Sequence, residues 1–338
     1  MICYCGIDLH SNNSVVVVMD EADRVVFKQR VPNDLALIIG VLKPYGDGLA
    51  GIVVESTYNW YWLVDGLMAA GFHVHLANTA AIKQYSGLKH ADDADDAAWL
   101  AHLLRLGILA EGYIYPRAER GTRDLLRRRS QLVRQKTANL LSIENQVIRS
   151  TGMPISANRV KRLKANEIAD RVADGDVVLG IGANLAVMRC LEAEVKKLER
   201  ELLGRLVPDA VYQALITTPG IGEILGMTIR LESGDISRFA RPGNYASYCR
   251  CVESKHLSNG RKKGEGNRKC GNKYLAWAFI EAAGFAIRQN ERARAFYHRK
   301  KAKTKSVVAR KALAHKLARA CFYVMRDQVP FEPERCFG

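Results

Sequence analysis

ICYCGIDLHSNNSVVVVMDEADRVVFKQRV, residues 2–31, holds three β-rich runs in close succession. ICYCGIDL (2–9), SVVVVMD (14–20) and RVVFKQRV (24–31) are rich in β-branched residues, and the turn-prone HSNN and the polar EAD separate them. Connections this short leave little choice but an antiparallel meander. Beyond it the pattern alternates. NDLALIIGVLKPYG (33–46) reads as a capped helix stopped by Pro44 and Gly46, LAGIVVES (49–56) as a short buried strand, YNWYWLVDGLMAAG (58–71) as a helix closed by Gly71, and FHVHLAN (72–78) as another strand.

KHADDADDAAWLAHLLR (89–105) follows and opens a further helix through Leu106. Three antiparallel strands followed by alternating helices and strands is the order of an RNase H-like α/β domain, expected over residues 1–116. The four aspartates Asp92, Asp93, Asp95 and Asp96 allow two readings: a solvated first turn that complements the helix dipole, or a metal site, since acids spaced i and i+3 share one helix face.

Charge is divided unevenly. Residues 1–115 carry 7 Lys and Arg against 13 Asp and Glu, and the remainder carries 44 against 22, within a chain of formal net charge +16. A field of that sign attracts phosphate and releases condensed counterions, so the basic part is expected to bind nucleic acid in a salt-dependent way.

After Pro116 the texture is helical. ERGTRDLLRRRSQLVRQKTANLLSIENQVIRS (119–150) fits a long basic amphipathic helix with Leu125, Leu132, Leu140 and Ile143 on its apolar side. NLAVMRCLEAEVKKLERELLGRL (184–206) carries a stripe of Leu191, Val195, Leu198 and Leu202, a seam for intrachain packing or for oligomerisation. A less regular connection, 150–176, lies between them, and residues 117–207 form a long-helix, coiled-coil region. In ALITTPGIGEILGMTIRLES (214–233), Gly220 and Gly222 sit in a turn of helix-hairpin-helix type, whose backbone N–H groups can hold a DNA phosphate. The basic, Gly-rich run CRCVESKHLSNGRKKGEGNRKCGNKYLAWAF (249–279) lies within a third region, 208–330, and precedes two expected helices with basic ends. Its Lys262, Lys263, Arg268 and Lys273 are candidate phosphate or RNA contacts.

In an RNase H-like sheet the first strand lies beside the fourth, so Asp8, ending the first, meets Glu55, ending the fourth. With Asp93 and Asp96 they make a four-carboxylate constellation that repels itself unless divalent cations sit within it. Two Mg²⁺ roughly 3.5–4 Å apart are the usual arrangement for phosphodiester chemistry. Asp92 and Asp95 offer the same spacing, which leaves the register of the aspartate pair open by one residue.

The ordered set GIDLH, VVES, DDADDAAWLA, TTPGIG and HLSNGRKKGEGNRKCGNKYL resembles the DEDD transposases of insertion sequences, which are similar to the Piv DNA invertase. The resemblance spans nearly the whole chain. It implies a RuvC-like first domain with Asp8, Glu55, Asp93 and Asp96 as catalytic metal ligands, and a C-terminal transposase domain that contributes a serine. Ser258 is the choice for that nucleophile and Ser254 the second, although Asn259 intervenes where the family has serine next to glycine. The resemblance further implies a covalent phosphoserine intermediate, Mg²⁺ as cofactor, donor and target double-stranded DNA, and a structured bridge RNA encoded by the element. It also implies dimers assembling to a tetramer whose active sites combine domains of different subunits.

A junction-resolving nuclease would need the carboxylates but no serine. An actin-like kinase would need a duplicated sheet domain, and a nonenzymatic RNA-binding protein leaves the four acids unexplained. Cys249, Cys251, His256 and Cys270 are four soft donors, but CxC is tighter than the usual zinc knuckle, and buried thiols are the expectation. Tyr58, Trp60, Tyr61 and Trp62 are expected to pack on the sheet rather than stack on bases. The amino terminus lacks the charged and apolar regions of a signal peptide and no run is a membrane span, so the protein is expected in the cytoplasm, on the nucleoid when acting.

Overall fold

A computed structural model describes residues 1–82, 93–253, 256–264 and 270–337. The chain divides into two compact units, Met1–Arg117 with Glu265–Cys270, and Ala118–Gly264 with Gly271–Gly338.

In the first unit β1 (Cys3–Leu9), β2 (Asn13–Asp20) and β3 (Val25–Pro32) form the antiparallel meander, and β4 (Leu49–Glu55) and β5 (Val74–Ala77) extend the sheet in the order β3-β2-β1-β4-β5. β1 pairs in parallel with β4, and β4 with β5. Because side chains alternate along a strand, the sheet has two distinct faces. Cys3, Cys5, Ile7 and Leu9 join Val16, Val18, Ile52 and Val54 in one core, covered by α1 (Leu35–Leu42) and α2 (Tyr61–Ala69). The α1 region ends earlier than its sequence suggests: a 3-10 turn over Lys43–Gly48, with Pro44 near its start, takes up the remainder.

The opposite face receives α3 (Asp93–Arg105), whose Ala94 and Ala97 pack on Val15 and Val17 and whose Leu100 packs on Val53. Small residues make the approach close. A Cβ at Gly6 would lie 1.9 Å from the Ala97 carbonyl oxygen and 2.9 Å from the Ala101 nitrogen. Asp23 in the β2–β3 turn fixes the other end of the helix, accepting from Arg105 Nε at 2.7 Å and lying 2.9 Å from His102 Nδ1. Gly6→Val is therefore expected to destabilise the unit by about 3 kcal/mol, the upper part of the usual overpacking range, because the obstruction is backbone. Thermal unfolding checks this; an unchanged midpoint would contradict the close approach.

Among its described residues the second unit is helical apart from one hairpin. α4 (Arg117–Thr151) and α7 (Gly175–Leu206) run antiparallel, since Arg129 pairs with Glu199, Lys136 with Glu192, and Ser142 with Asn184. Leu140, Ile143 and Val147 meet Ile181, Leu185 and Met188 between them. The seam is thus intrachain, with Val195 and Leu202 buried and Leu191 and Leu198 half-buried. The segment between the two, read from the sequence as irregular, contains α5 (Ala157–Arg162) and α6 (Ala165–Ala169), both shorter than two turns and too short to show a helical period. α7 also begins earlier than the apolar stripe, capped by Asp174 and passing through Gly180 and Gly182.

α8 (Ala210–Ile216), α9 (Glu223–Ser233), α10 (Pro242–Tyr248), α11 (Lys273–Gln289), α12 (Glu291–Lys301), α13 (Ser306–Asp327) and α14 (Pro333–Phe337) follow. Four helices after residue 272 replace the two expected; Asn290, whose side chain accepts from Ala293 N, caps α12 and breaks the run. Leu225, Tyr245, Phe279, Leu313 and Leu317 share their core. Glu232, 1% exposed, accepts from Arg127 at 2.5 and 2.7 Å and from Asn272 Nδ2 at 2.7 Å, which joins α4, α9 and the start of α11 by a satisfied buried charge. The hairpin, β6 (His256–Ser258) with β7 (Arg261–Gly264), stands in the basic run that composition presents as a Gly-rich loop.

Candidate active site

Register alone brings the first two acids together. Gly6 pairs with Val53 and Ile7 with Val54, so Asp8 and Glu55 are next along neighbouring parallel strands, on the face that α3 covers and at the carboxyl ends where α/β sheets hold ligands. Asp8 is 4% exposed, and Glu55 is half-buried and hydrogen-bonded to it. Burial, followed by the Asp8 hydrogen bond and the charges of Asp8 and Asp96, pushes the Glu55 carboxyl up to about 7.

The pair on α3 is split. Asp96 is half-buried and acts on Glu55, whereas Asp93 accepts from Arg30 Nη2 at 2.6 Å. The Arg30 bond chiefly holds the Asp93 carboxyl below the usual range against the opposing effect of burial, and His10 assists. Asp95 is exposed, and Asp92 lies outside the described residues. His10, two residues beyond Asp8, was not singled out from the sequence: its Nε2 lies 3.3 Å from Asp8 Oδ2 and 3.2 Å from Asp93 Oδ2. That nitrogen is buried between the two carboxylates. One atom each from Asp8, His10 and Asp93 lie within 4.8 Å of one another. A carboxyl raised by burial and then by its like-charged neighbours, with an imidazole nitrogen set between two carboxylate oxygens, is a donor set that fits a divalent metal.

In the second unit Ser258 is exposed on β6 and pairs across the hairpin with Arg261. The two residues between them, Asn259 at φ 49° and Gly260 at φ 71°, make a two-residue turn with both φ values positive, as in type I′ turns. Directly opposed residues share a hairpin face, so the exposed Arg261, also not singled out from the sequence, is a cation beside the hydroxyl. Ser254 lies outside the described residues.

Two family profiles match in chain order: a DEDD transposase profile of the IS110 type over residues 5–149, and a profile described as transposase, IS116/IS110/IS902 family, over residues 212–298. The chain belongs to the IS110/IS116 transposase family. It is similar to a probable family 20 transposase of Pseudomonas aeruginosa, 25% identical over 286 residues that cover 81% of this chain and 82% of the relative. It is also similar to the transposase for insertion sequence element IS1328 of Yersinia enterocolitica, 27% identical over 142 residues, 41% of this chain and 42% of that protein. The protein is thus a transposase enzyme of an insertion sequence, with DNA as its partner, and its DEDD-type domain implies use of a divalent metal. No described helix of the transposase is long and apolar enough to cross a membrane.

The transposase holds its other candidate residues unequally open. Gly220, φ +84°, is buried where a Cβ would meet Ala282 O at 2.2 Å on α11, so close packing takes it up and only Gly222, exposed at the cap of α9, is open to a phosphate. Lys263 and Lys273 are exposed; Lys262 lies on β7 with its side chain undescribed, and Arg268 lies outside the described residues. Cys249 and Cys251 are buried, in keeping with core thiols, and burial pushes the Cys251 thiol up to about 12. The side chain of His256 is outside the described residues, and Cys270 contacts Ala80 O at 3.5 Å. Trp60, Tyr61 and Trp62 pack in the core of the first unit, and Tyr58 is exposed.

The raised Glu55 carboxyl gives a pH signature. As pH rises from the ordinary 4.5, the unfolded chain loses this proton before the folded one does, so the stabilisation is fully present below about 4.5 and lost as pH passes through about 7. In chelator, the melting midpoint of the wild type is expected to fall relative to Glu55→Gln across that window. Parallel curves for the two proteins would contradict the crowded carboxylates.

Proposed function

We propose that this transposase moves its insertion sequence by serine recombination directed by a structured bridge RNA encoded by the element, and that it assembles from dimers into a tetramer. The meeting of Asp8, Glu55 and Asp96 beneath the start of α3 supports its metal-dependent DNA chemistry, and the serine, the guide RNA and the tetramer are what the family resemblance implies. A buried carboxylate pair with a third acid acting on it is costly without a function. Asp8, Glu55, Asp93 and Asp96 would hold divalent cations, Mg²⁺ in the family this chain resembles. When bound, these would neutralise charge developing on the phosphate oxygens under attack.

Ser258 would supply the nucleophile. Its Oγ forms a bond to phosphorus as the sugar oxygen of the DNA leaves, so one phosphodiester replaces another and the bond energy is kept for rejoining. Arg261, across the hairpin, would hold a non-bridging oxygen of that phosphate. Gly222, Lys263 and Lys273 are exposed on the same basic unit and would serve as positioning contacts to phosphate.

RNA guidance is tested with purified transposase, donor and target DNA, and bridge RNAs carrying native or altered loops. Recombination is expected to require RNA and to follow the altered loop to a new target. Equal recombination without RNA would overturn guidance.

A further inference from the structure

We infer that His10 is itself a ligand of the metal cradle, which makes it a mixed oxygen and nitrogen site and tunes which divalent cation it prefers. The inference rests on the reading that the acidic cluster holds a divalent cation, and it adds a nitrogen donor that a four-carboxylate description lacks.

Three observations support it. The first is proximity: Nε2 sits between Asp8 Oδ2 and Asp93 Oδ2 at 3.3 and 3.2 Å. Donors bound to one cation at about 2.0–2.2 Å lie within about 4.4 Å of each other, so the 4.8 Å set needs only a few tenths of an ångström of closure. The second is that Nε2 is removed from water and lies against two carboxylate oxygens, the surroundings that a shared cation would occupy. The third is that the backbone of His10 is pinned from two sides. Its carbonyl accepts from Asn33 Nδ2 at 3.0 Å, just past β3, and from Asn59 Nδ2 at 2.9 Å, just past β4. Those amides are tied in turn to Ser14 at 2.7 Å and Thr57 at 2.8 Å. The backbone from which the ring projects is thereby fixed beside the two carboxylates.

Arg30, the other partner of Asp93, has a side chain 54% exposed, so it can yield Asp93 to a cation at small cost. The chemical consequence is selectivity. All-oxygen sites suit Mg²⁺, whereas an imidazole donor favours Co²⁺, Ni²⁺ or Zn²⁺.

The test is calorimetric titration of full-length transposase with Co²⁺ and, separately, Mg²⁺, for wild type, His10→Ala, His10→Gln and Asp8→Asn. His10→Ala is expected to weaken Co²⁺ by at least about tenfold, a loss seen even for groups that merely support a ligand. Gln places an amide oxygen within similar reach, so His10→Gln is expected to lower the Co²⁺ to Mg²⁺ affinity ratio by about tenfold. That ratio carries the test if the alanine variant does not fold. Asp8→Asn is expected to weaken both metals. Co²⁺ affinity and ratio unchanged in the His10 variants but lost in Asp8→Asn would overturn the role of His10 and leave the cradle standing. Binding unchanged in all variants would overturn the cradle as well.

Discussion

Asp8→Asn transposase is expected to fold and to retain nucleic-acid binding, yet to cleave DNA about 10²–10³-fold more slowly. The carboxamide keeps the size of the side chain at a position 4% exposed, so packing in the sheet is preserved. What disappears is one negative charge among like charges. Burial is the larger cause of the raised Glu55 carboxyl, but without metal the loss of the Asp8 charge relieves the repulsion that adds to it, so the variant is expected to melt at the same temperature as the wild type or above it. With metal, the cradle loses an anionic donor at its centre, and losing even one preorganised charge-stabilising group typically costs about 10²–10³ in rate. Strand cleavage of end-labelled DNA, read beside a melting curve, separates this outcome from a structural one. Lost cleavage accompanied by a lower melting point would mark Asp8 as a fold residue, and retained cleavage would remove it from the site.

Ser258→Ala should have an equally large effect and a different signature. The hydroxyl is exposed at the turn of the hairpin, so its loss leaves the unit folded. Metal binding by the first unit is expected to be unchanged. Covalent capture of DNA is expected to vanish, because alanine has no oxygen to form the bond to phosphorus. Arg261→Ala provides the graded comparison: it keeps the nucleophile and removes the cation opposite it, so adducts are expected to form more slowly. Wild-type adduct levels in Ser258→Ala would move the nucleophile elsewhere on the chain.

The first unit is legible in sequence because β1, β2 and β4 are short apolar runs bounded by turn and polar residues, and short connections leave few topologies. Once β1 lies beside β4, Asp8 and Glu55 follow from register alone. His10 is not legible in the same way. Its relation to Asp93 depends on where α3 lands, and that depends on Gly6 admitting Ala97. The pairing of Arg30 with Asp93, 63 residues apart, is hidden for the same reason. The β6–β7 hairpin is obscured by lysine and glycine, which are poor strand formers, although Asn259-Gly260 is a strong local signal for a two-residue turn. Gly220 shows how a single motif divides: the PGIG turn forms between α8 and α9, but its first glycine serves contact with α11 and only its second faces outward.

The most direct measurement is to incubate transposase, bridge RNA and Mg²⁺ with end-labelled DNA spanning the element junction, trap the products under denaturing conditions, digest the protein, and identify the peptide that carries the label. The label is expected on Ser258, with no labelled peptide from Ser258→Ala or Asp8→Asn. Clean strand cleavage without any labelled peptide, equal in wild type and Ser258→Ala, would show that the carboxylate cradle hydrolyses DNA by itself and would contradict serine recombination.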